Sequence, residues 1–279
     1  MTVPTSLAFS MESGAIPALG FGTSPMTGGL SADTVLAALQ AGYRHIDTAR
    51  KYGTEHAVGE AMRASGLARA DIFLTTKVSH ENLRAADFAR SVDDSLAALK
   101  VDYVDLLLVH WPNPEIALSE TMPALAKAKM QGLARHIGVA NFNIALLDQA
   151  IDLCPEPLVA LQAEYHPYLD QAKLLAAARQ RKLVFIAYCP LGRGRLFGDP
   201  VLADIAKTHG RSVAQVALRW LMQQNVAAIP FSSKPERIAD NFNVFDLTLS
   251  DDEMKRIAAL KRPDGRVANP KGRVSGGWD

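Results

Sequence analysis

Eight short apolar stretches, each followed by a segment of helical spacing, run through the 279-residue chain, and this alternation constrains the fold more than any other feature. The strand candidates are residues 18–22, 45–47, 73–77, 103–109, 136–139, 159–164, 184–188 and 227–229. Between them, Ser31 can cap a helix that carries Val35, Leu36 and Leu39 on one face and stops at Gly42. Phe88, Val92, Leu96 and Leu99 keep helical spacing, and Ser212 can open another helix through Val213, Val216, Ala217 and Trp220. Strict alternation implies a parallel sheet with right-handed crossovers. Eight such units suit a closed barrel better than an open, doubly wound sheet.

An open sheet that binds a dinucleotide usually carries Gly-x-Gly-x-x-Gly between its first strand and first helix. Here that turn reads Gly20-Phe21-Gly22-Thr23-Ser24-Pro25, so the match fails. The expected fold is therefore a (β/α)8 TIM barrel occupying residues 1–279 as a single domain. Residues 7–9 and 15–17 flank Met11-Glu12-Ser13-Gly14 and predict an N-terminal β-hairpin closing the barrel floor.

Composition narrows the function classes. A formal charge of +1 gives no bulk electrostatic attraction for nucleic acid, so a small-molecule ligand is expected. Cys154 and Cys189 are the two cysteines, too few for a disulfide scaffold or a zinc-binding cysteine set. Residues 1–14 lack the basic start and apolar run of a signal peptide, and no stretch reaches membrane-spanning length. A cytoplasmic protein with no membrane partner is expected. No heptad or apolar stripe points to another subunit, so a monomer is expected.

The strand ends carry the chemistry. The second strand candidate stops on Asp47, with Tyr52 five positions later beside Gly53; the third runs into Lys77, and the fourth into His110-Trp111. In an α/β barrel the C-terminal strand ends face one mouth, so these side chains can converge. Singly, each has an ordinary reading: a rim ion pair for Asp47, a solvated strand end for Lys77, a packed pair for His110 and Trp111. Jointly they are a proton-donating apparatus. Free tyrosine is a poor acid at neutral pH. A nearby Lys77 ammonium, held by Asp47, is expected to lower its pKa, with His110 fixing a substrate oxygen. Such a set suits protonation of a carbonyl oxygen as hydride arrives at its carbon.

At these residues the chain resembles the aldo-keto reductase family along nearly its whole length. The segment from Gly42 to Gly59 is similar to the family's first signature, with Asp47 and Tyr52 in its acid and tyrosine positions. The resemblance implies that Tyr52 is the general acid, that Lys77 and Asp47 tune it, and that His110 orients the substrate. Trp111 would line the substrate pocket. Gly138-Val139-Ala140-Asn141-Phe142 resembles Gly-Val-Ser-Asn-Phe, implying that Asn141, with Gln162, holds a nicotinamide carboxamide. Tyr188 matches the aromatic residue that stacks on the nicotinamide ring. Gly22, Thr23, Asp47, Cys189 and Leu191 complete that end of the implied cofactor site. Residues 229–237 and Asn241 resemble the adenosine-phosphate segment, with contacts from Ser232, Ser233, Lys234, Arg237 and Asn241. Hydroxyls and an arginine at a helix start make a sound phosphate site on independent physical grounds.

Three departures bear on the cofactor. Ala140 and Cys189 stand where serines are expected, and Phe231 stands where many relatives carry a lysine for the 2′-phosphate of NADP. Lys234 and Arg237 remain nearby, so NADP(H) is favoured and NAD(H) stays open. The brief loops and C-terminal segment resemble the compact bacterial members that reduce diketo-gluconate and methylglyoxal, which implies an open pocket. Trp278 is either a loose tail or a substrate contact. Two other classes fit the same fold. One is a metal-dependent hydrolase using His45, Asp47 and His110, which lacks the usual His-x-His pair. The other is a cofactor-binding sensor with little turnover.

Overall fold

The computed structural model describes residues 7–11, 14–24, 31–270, 274 and 277–279. A two-stranded antiparallel hairpin, β1 (Ala8–Met11) and β2 (Gly14–Pro17), precedes eight parallel strands. These are β3 (Phe21–Gly22), β4 (His45–Asp47), β5 (Phe73–Val78), β6 (Val104–Val109), β7 (Ala134–Ala140), β8 (Leu158–Glu164), β9 (Val184–Tyr188) and β10 (Val226–Ala228). They lie in chain order, and a parallel bridge between Leu19 and Ala228 joins the last to the first. Main-chain bonds from Gly20 to Ala228 and from Gly22 to Pro230 complete the seam, at 2.8 and 3.0 Å. The chain is thus a closed eight-stranded barrel. At that seam Gly22 has no room for a side chain, since a Cβ would lie 2.9 Å from the Ile229 carbonyl oxygen.

The helices are α1 (Ala32–Ala41), α2 (Glu55–Ala64), α3 (Ala85–Leu99), α4 (Leu118–Met130), α5 (Ile144–Leu153), α6 (Ala172–Gln180), α7 (Pro200–His209), α8 (Val213–Met222), α9 (Pro235–Phe242) and α10 (Asp251–Ala258). Local chemistry sets their ends. Ser31 accepts a hydrogen bond from the Thr34 amide to start α1, and Gly42 ends it in a left-handed conformation, φ 111°. Ser212 and Gln215 form a reciprocal capping box at α8.

Strand alternation divides the core in two. Ile46, Leu74, Val78, Leu107 and Val139 pack outward against the helices. Ile16, Leu106, Leu108, Ala140, Ala160, Ile186 and Ala227 fill the interior, with Phe9 and Met11 of the hairpin against them. The hairpin therefore plugs the floor, as expected; its turn residues Glu12 and Ser13 lie outside the described residues, as does Pro25. The first strand pairs over only two residues because its start serves the seam. The last strand begins one residue earlier than expected. Among the described residues, no helix is long and apolar enough to cross a membrane.

Candidate active site

Because Ile46, Leu74, Val78, Leu107 and Val109 face the helices, Asp47, Lys77 and His110 fall on the inward register at the ends of β4, β5 and β6. Asp47 is 1 % exposed and Lys77 is fully buried. The Lys77 Nζ donates to Asp47 Oδ1 at 2.5 Å and to the Thr48 carbonyl at 2.8 Å. Asp47 Oδ2 accepts from Gln162 Nε2 at 2.8 Å. Burial pulls the Lys77 pKa down, and the Asp47 charge opposes that fall.

Tyr52 closes a single 3₁₀ turn, Arg50–Tyr52, immediately after β4. Its amide bonds the Ala49 carbonyl at 3.0 Å, and Gly53 turns the chain away at φ 68°. Thr48 and Thr54 share a hydroxyl bond of 3.0 Å across this turn. Glu55, buried beneath it, accepts from Thr76 Oγ1 at 2.6 Å and pairs with Arg50 at 3.4 Å. The tyrosine is thereby aimed at the other three. Its hydroxyl is 3.4 Å from His110 Nε2, the two rings meet edge-on at 5.4 Å, and Lys77 Nζ lies 5.3 Å from its ring centroid.

The expected fall in the Tyr52 pKa is not what this geometry produces. Burial pushes the phenol upward, the Asp47 carboxylate and Cys189 add to that, and a hydrogen bond with Ser24 opposes it. Two of the three Lys77 donors are taken by Asp47 and the Thr48 carbonyl, and the Asp47 carboxylate compensates the ammonium locally. The phenol is a firmly protonated reservoir.

The nicotinamide-end residues gather around the same cluster. Asn141 follows β7 in a left-handed conformation, φ 65°, which asparagine tolerates well. Its amide nitrogen donates to the His110 carbonyl at 2.9 Å, and its Oδ1 accepts from the Tyr188 hydroxyl at 2.7 Å. The Asn141 main chain bonds the Gln162 carbonyl at 2.8 Å. Thr23 donates to the Asp47 carbonyl through both its amide and its hydroxyl, each at 3.0 Å. Cys189 is also left-handed, φ 48°, and burial pushes its thiol upward against a hydrogen bond from Arg193. Left-handed non-glycine residues at two rim positions, after β7 and after β9, are the kind of strain found at ligand sites. Leu191 is half-buried beside them.

Ser232, Ser233, Lys234 and Arg237 lie apart from the acid cluster, after β10 at the start of α9. No side chain caps that helix, the Lys234 amide bonds Ser232 Oγ at 3.1 Å, and Lys234 and Arg237 are exposed. Asn241, farther along α9, is buried. Phe231 turns inward instead, its ring 6.0 Å from that of Phe21.

On the other side of the mouth, Trp111 meets Trp278 edge-on at 6.0 Å. Trp278 is not a loose tail: its indole donates to Asn269 Oδ1 at 3.0 Å, and the Arg266 guanidinium lies 3.7 Å above its ring. Sequence reasoning gave no role to Glu55 or Glu164, although Glu164 shares the inward register of Gln162. His45, one of the metal ligands considered, faces the interior two residues below Asp47, with Nε2 3.1 Å from Thr75 Oγ1 and its ring edge-on to Phe73. Among the described residues, no group of three histidines, cysteines or acids is placed to hold a metal ion.

Comparison with known proteins gives this geometry a context. The model of the aldo/keto reductase family matches residues 18–262. The chain belongs to the aldo/keto reductase family. The methylglyoxal reductase DkgB of Escherichia coli O157:H7 is a relative at 40 % identity, the match covering 95 % of this chain and all of that protein. A crystal structure described as a candidate 2,5-diketo-D-gluconic acid reductase B superposes with a TM-score of 0.90 at 44 % identity, covering 95 % of this chain and 94 % of that one. The aldo-keto reductase AKR2E5, solved with NADPH, superposes with a TM-score of 0.87 at 31 % identity, covering 92 % and 88 %. Within this aldo/keto reductase, the cluster of Asp47, Tyr52, Lys77 and His110 occupies the C-terminal mouth of the barrel, where α/β barrels carry their chemistry.

Proposed function

We propose that the chain is an NADP(H)-dependent reductase of aldehydes and ketones in which Tyr52 delivers the proton. When bound, the nicotinamide supplies hydride to the carbonyl carbon. The residues present fit that group. Gln162 uses its amide nitrogen on Asp47, leaving the carbonyl oxygen to accept from a carboxamide, and the Tyr188 ring offers a flat stacking surface beside Asn141. The uncapped start of α9, with Ser232, Ser233, Lys234 and Arg237, supplies hydroxyl and cationic groups for phosphate. With Phe231 turned toward Phe21, Lys234 and Arg237 are the cations left for a 2′-phosphate, so NADP(H) is favoured over NAD(H).

The observation that carries the proton-donor role is the Tyr52 hydroxyl at 3.4 Å from His110 Nε2, beside the buried Lys77–Asp47 pair. A carbonyl oxygen accepting from both groups is polarised before reaction. As its carbon becomes tetrahedral, that oxygen becomes an alkoxide, more basic than a phenolate. A phenol of raised pKa therefore still gives up its proton downhill, and the Lys77 ammonium, 5.3 Å from the ring centroid, is the cation nearest the phenolate that remains among the residues of this cluster. Trp111 forms one wall beside the substrate. Given the named relatives, short dicarbonyls and sugar-type carbonyls are the first classes to test. We further propose that residues 1–279 act as one catalytic unit, monomeric and cytoplasmic, with no nucleic-acid partner.

The test is a panel of dicarbonyls, sugar aldehydes and aromatic aldehydes, followed by absorbance with NADPH and NADH in parallel. Turnover on at least one class, faster with NADPH, is expected. Tight cofactor binding without turnover on any class would favour a sensor instead.

A further inference from the structure

The proton-transfer residues leave one fully buried carboxylate at the barrel mouth unused. Glu164 ends β8, two residues beyond Gln162 on the same inward register, and is 0 % exposed. A carboxylate in that position is costly unless its oxygens are occupied by donors. They are occupied by a segment a hundred residues away. Oε1 accepts from the Val267 amide at 2.6 Å and from His166 Nε2 at 3.0 Å, and Oε2 accepts from the Ala268 amide at 2.8 Å. The Arg266 guanidinium approaches Oε2 at 4.0 Å.

The segment so clasped also holds Trp278. Arg266 covers its face and Asn269 binds its indole N–H, while on the far side Asn143 donates to the Gly277 carbonyl at 2.9 Å. Asp279 accepts from the Ile144 amide at the start of α5 at 2.9 Å. Trp278 then presents its edge or face to Trp111, the residue after His110. A continuous line of contacts thus runs from Glu164 through residues 266–269 to the aromatic pair beside the proton donor.

We propose that Glu164 is a positioning residue for substrate recognition: it fixes residues 266–268 and, through Arg266 and Asn269, sets Trp278 against Trp111 as a second aromatic wall. The inference rests on the reading that Trp111 borders the substrate. The carboxylate oxygens of Glu164 are taken up by protein donors, so it acts through the segment they hold. Its loss changes how well the enzyme holds a substrate, not how fast a correctly held one reacts.

Glu164→Gln keeps the volume but replaces one acceptor oxygen with a donor that opposes either a main-chain amide or His166. Two readouts are needed. The first needs no turnover: acrylamide quenching of tryptophan fluorescence, compared between E164Q and wild type and between E164Q/W278F and W278F. Quenching is expected to rise in E164Q and to be unchanged by the same substitution in the W278F background. The second is kinetic. The KM for an aromatic aldehyde is expected to rise about fivefold, the scale of one lost aromatic contact, with kcat within about twofold and NADPH affinity unchanged.

W278A should raise KM to a similar extent, and the double variant E164Q/W278A should be no worse than W278A, since both act through one wall. If E164Q fails to fold, Arg266→Met removes the guanidinium from the Trp278 face, leaves the Val267, Ala268 and His166 donors on the Glu164 carboxylate, and carries the same expectations. Additive effects of E164Q and W278A, an unchanged KM, or quenching that rises equally without Trp278 would overturn the inference. Wild type that reduces no carbonyl would overturn the proposed function instead, and the quenching comparison would still decide whether Glu164 holds Trp278.

Discussion

Replacing Lys77 with methionine tests whether the buried ion pair organises the mouth. The side chain is fully buried, and its ammonium makes two hydrogen bonds, to Asp47 and to the Thr48 carbonyl. Methionine leaves the Asp47 carboxyl, 1 % exposed, with the Gln162 amide as its remaining side-chain donor. Breaking a buried pair from one side costs about 3–5 kcal/mol, a large part of the ~5–15 kcal/mol that holds a typical domain together. Asp47→Asn strands the ammonium and should cost a similar amount. The double variant strands neither charge, and its loss should be smaller than the sum of the singles by about 3 kcal/mol, the upper range for residues in direct contact. Urea unfolding of the four proteins, followed by far-ultraviolet circular dichroism at neutral pH, measures this coupling. Additivity to within about 0.5 kcal/mol would refute the reasoning, because the pair would then contribute nothing as a pair.

Two further outcomes are expected. Burial holds the His45 pKa near 4, against 6.5 for an exposed histidine. Above pH 6.5 the ring is neutral in both states; below it the unfolded chain takes up a proton that the folded chain refuses. Stability should therefore fall between pH 6.5 and 4 by about 1.4 kcal/mol per unit, roughly 3 kcal/mol in all, and His45→Gln should remove that part of the slope. Identical slopes in urea titrations of the two proteins would contradict the burial argument. Phe231→Lys should strengthen NADPH relative to NADH by about tenfold, the scale of one charge-assisted phosphate contact, as read by fluorescence titration. An unchanged ratio would mean that the 2′-phosphate does not lie near this position.

The barrel was legible because eight apolar strands alternating with capped helices leave few other arrangements, and Ser31, Gly42 and Ser212 act where local chemistry puts them. The convergence of Asp47, Tyr52, Lys77 and His110 was legible for the same reason: strand ends in a barrel share a mouth. What the sequence concealed depends on long-range contacts. The upward push on Tyr52 comes from burial and from the nearby Asp47 carboxylate and Cys189, none of which spacing reveals. Glu164 reads as one polar residue at a strand end until residues 267 and 268 fold over it, and Trp278 reads as tail until Arg266 and Asn269 hold it. Phe231 stands apart from a family pattern, but its inward turn onto Phe21 required coordinates.

The most direct measurement of the central claim is stopped-flow oxidation of NADPH by a reactive aldehyde, comparing wild type with Tyr52→Phe, together with fluorescence titration of cofactor binding. The phenylalanine ring keeps its packing over Lys77 and loses only the hydroxyl beside His110. With the phenol as proton donor, the chemical step should slow by about 10²-fold or more while NADPH affinity is unchanged. A rate within about threefold of wild type would show that the proton comes from elsewhere.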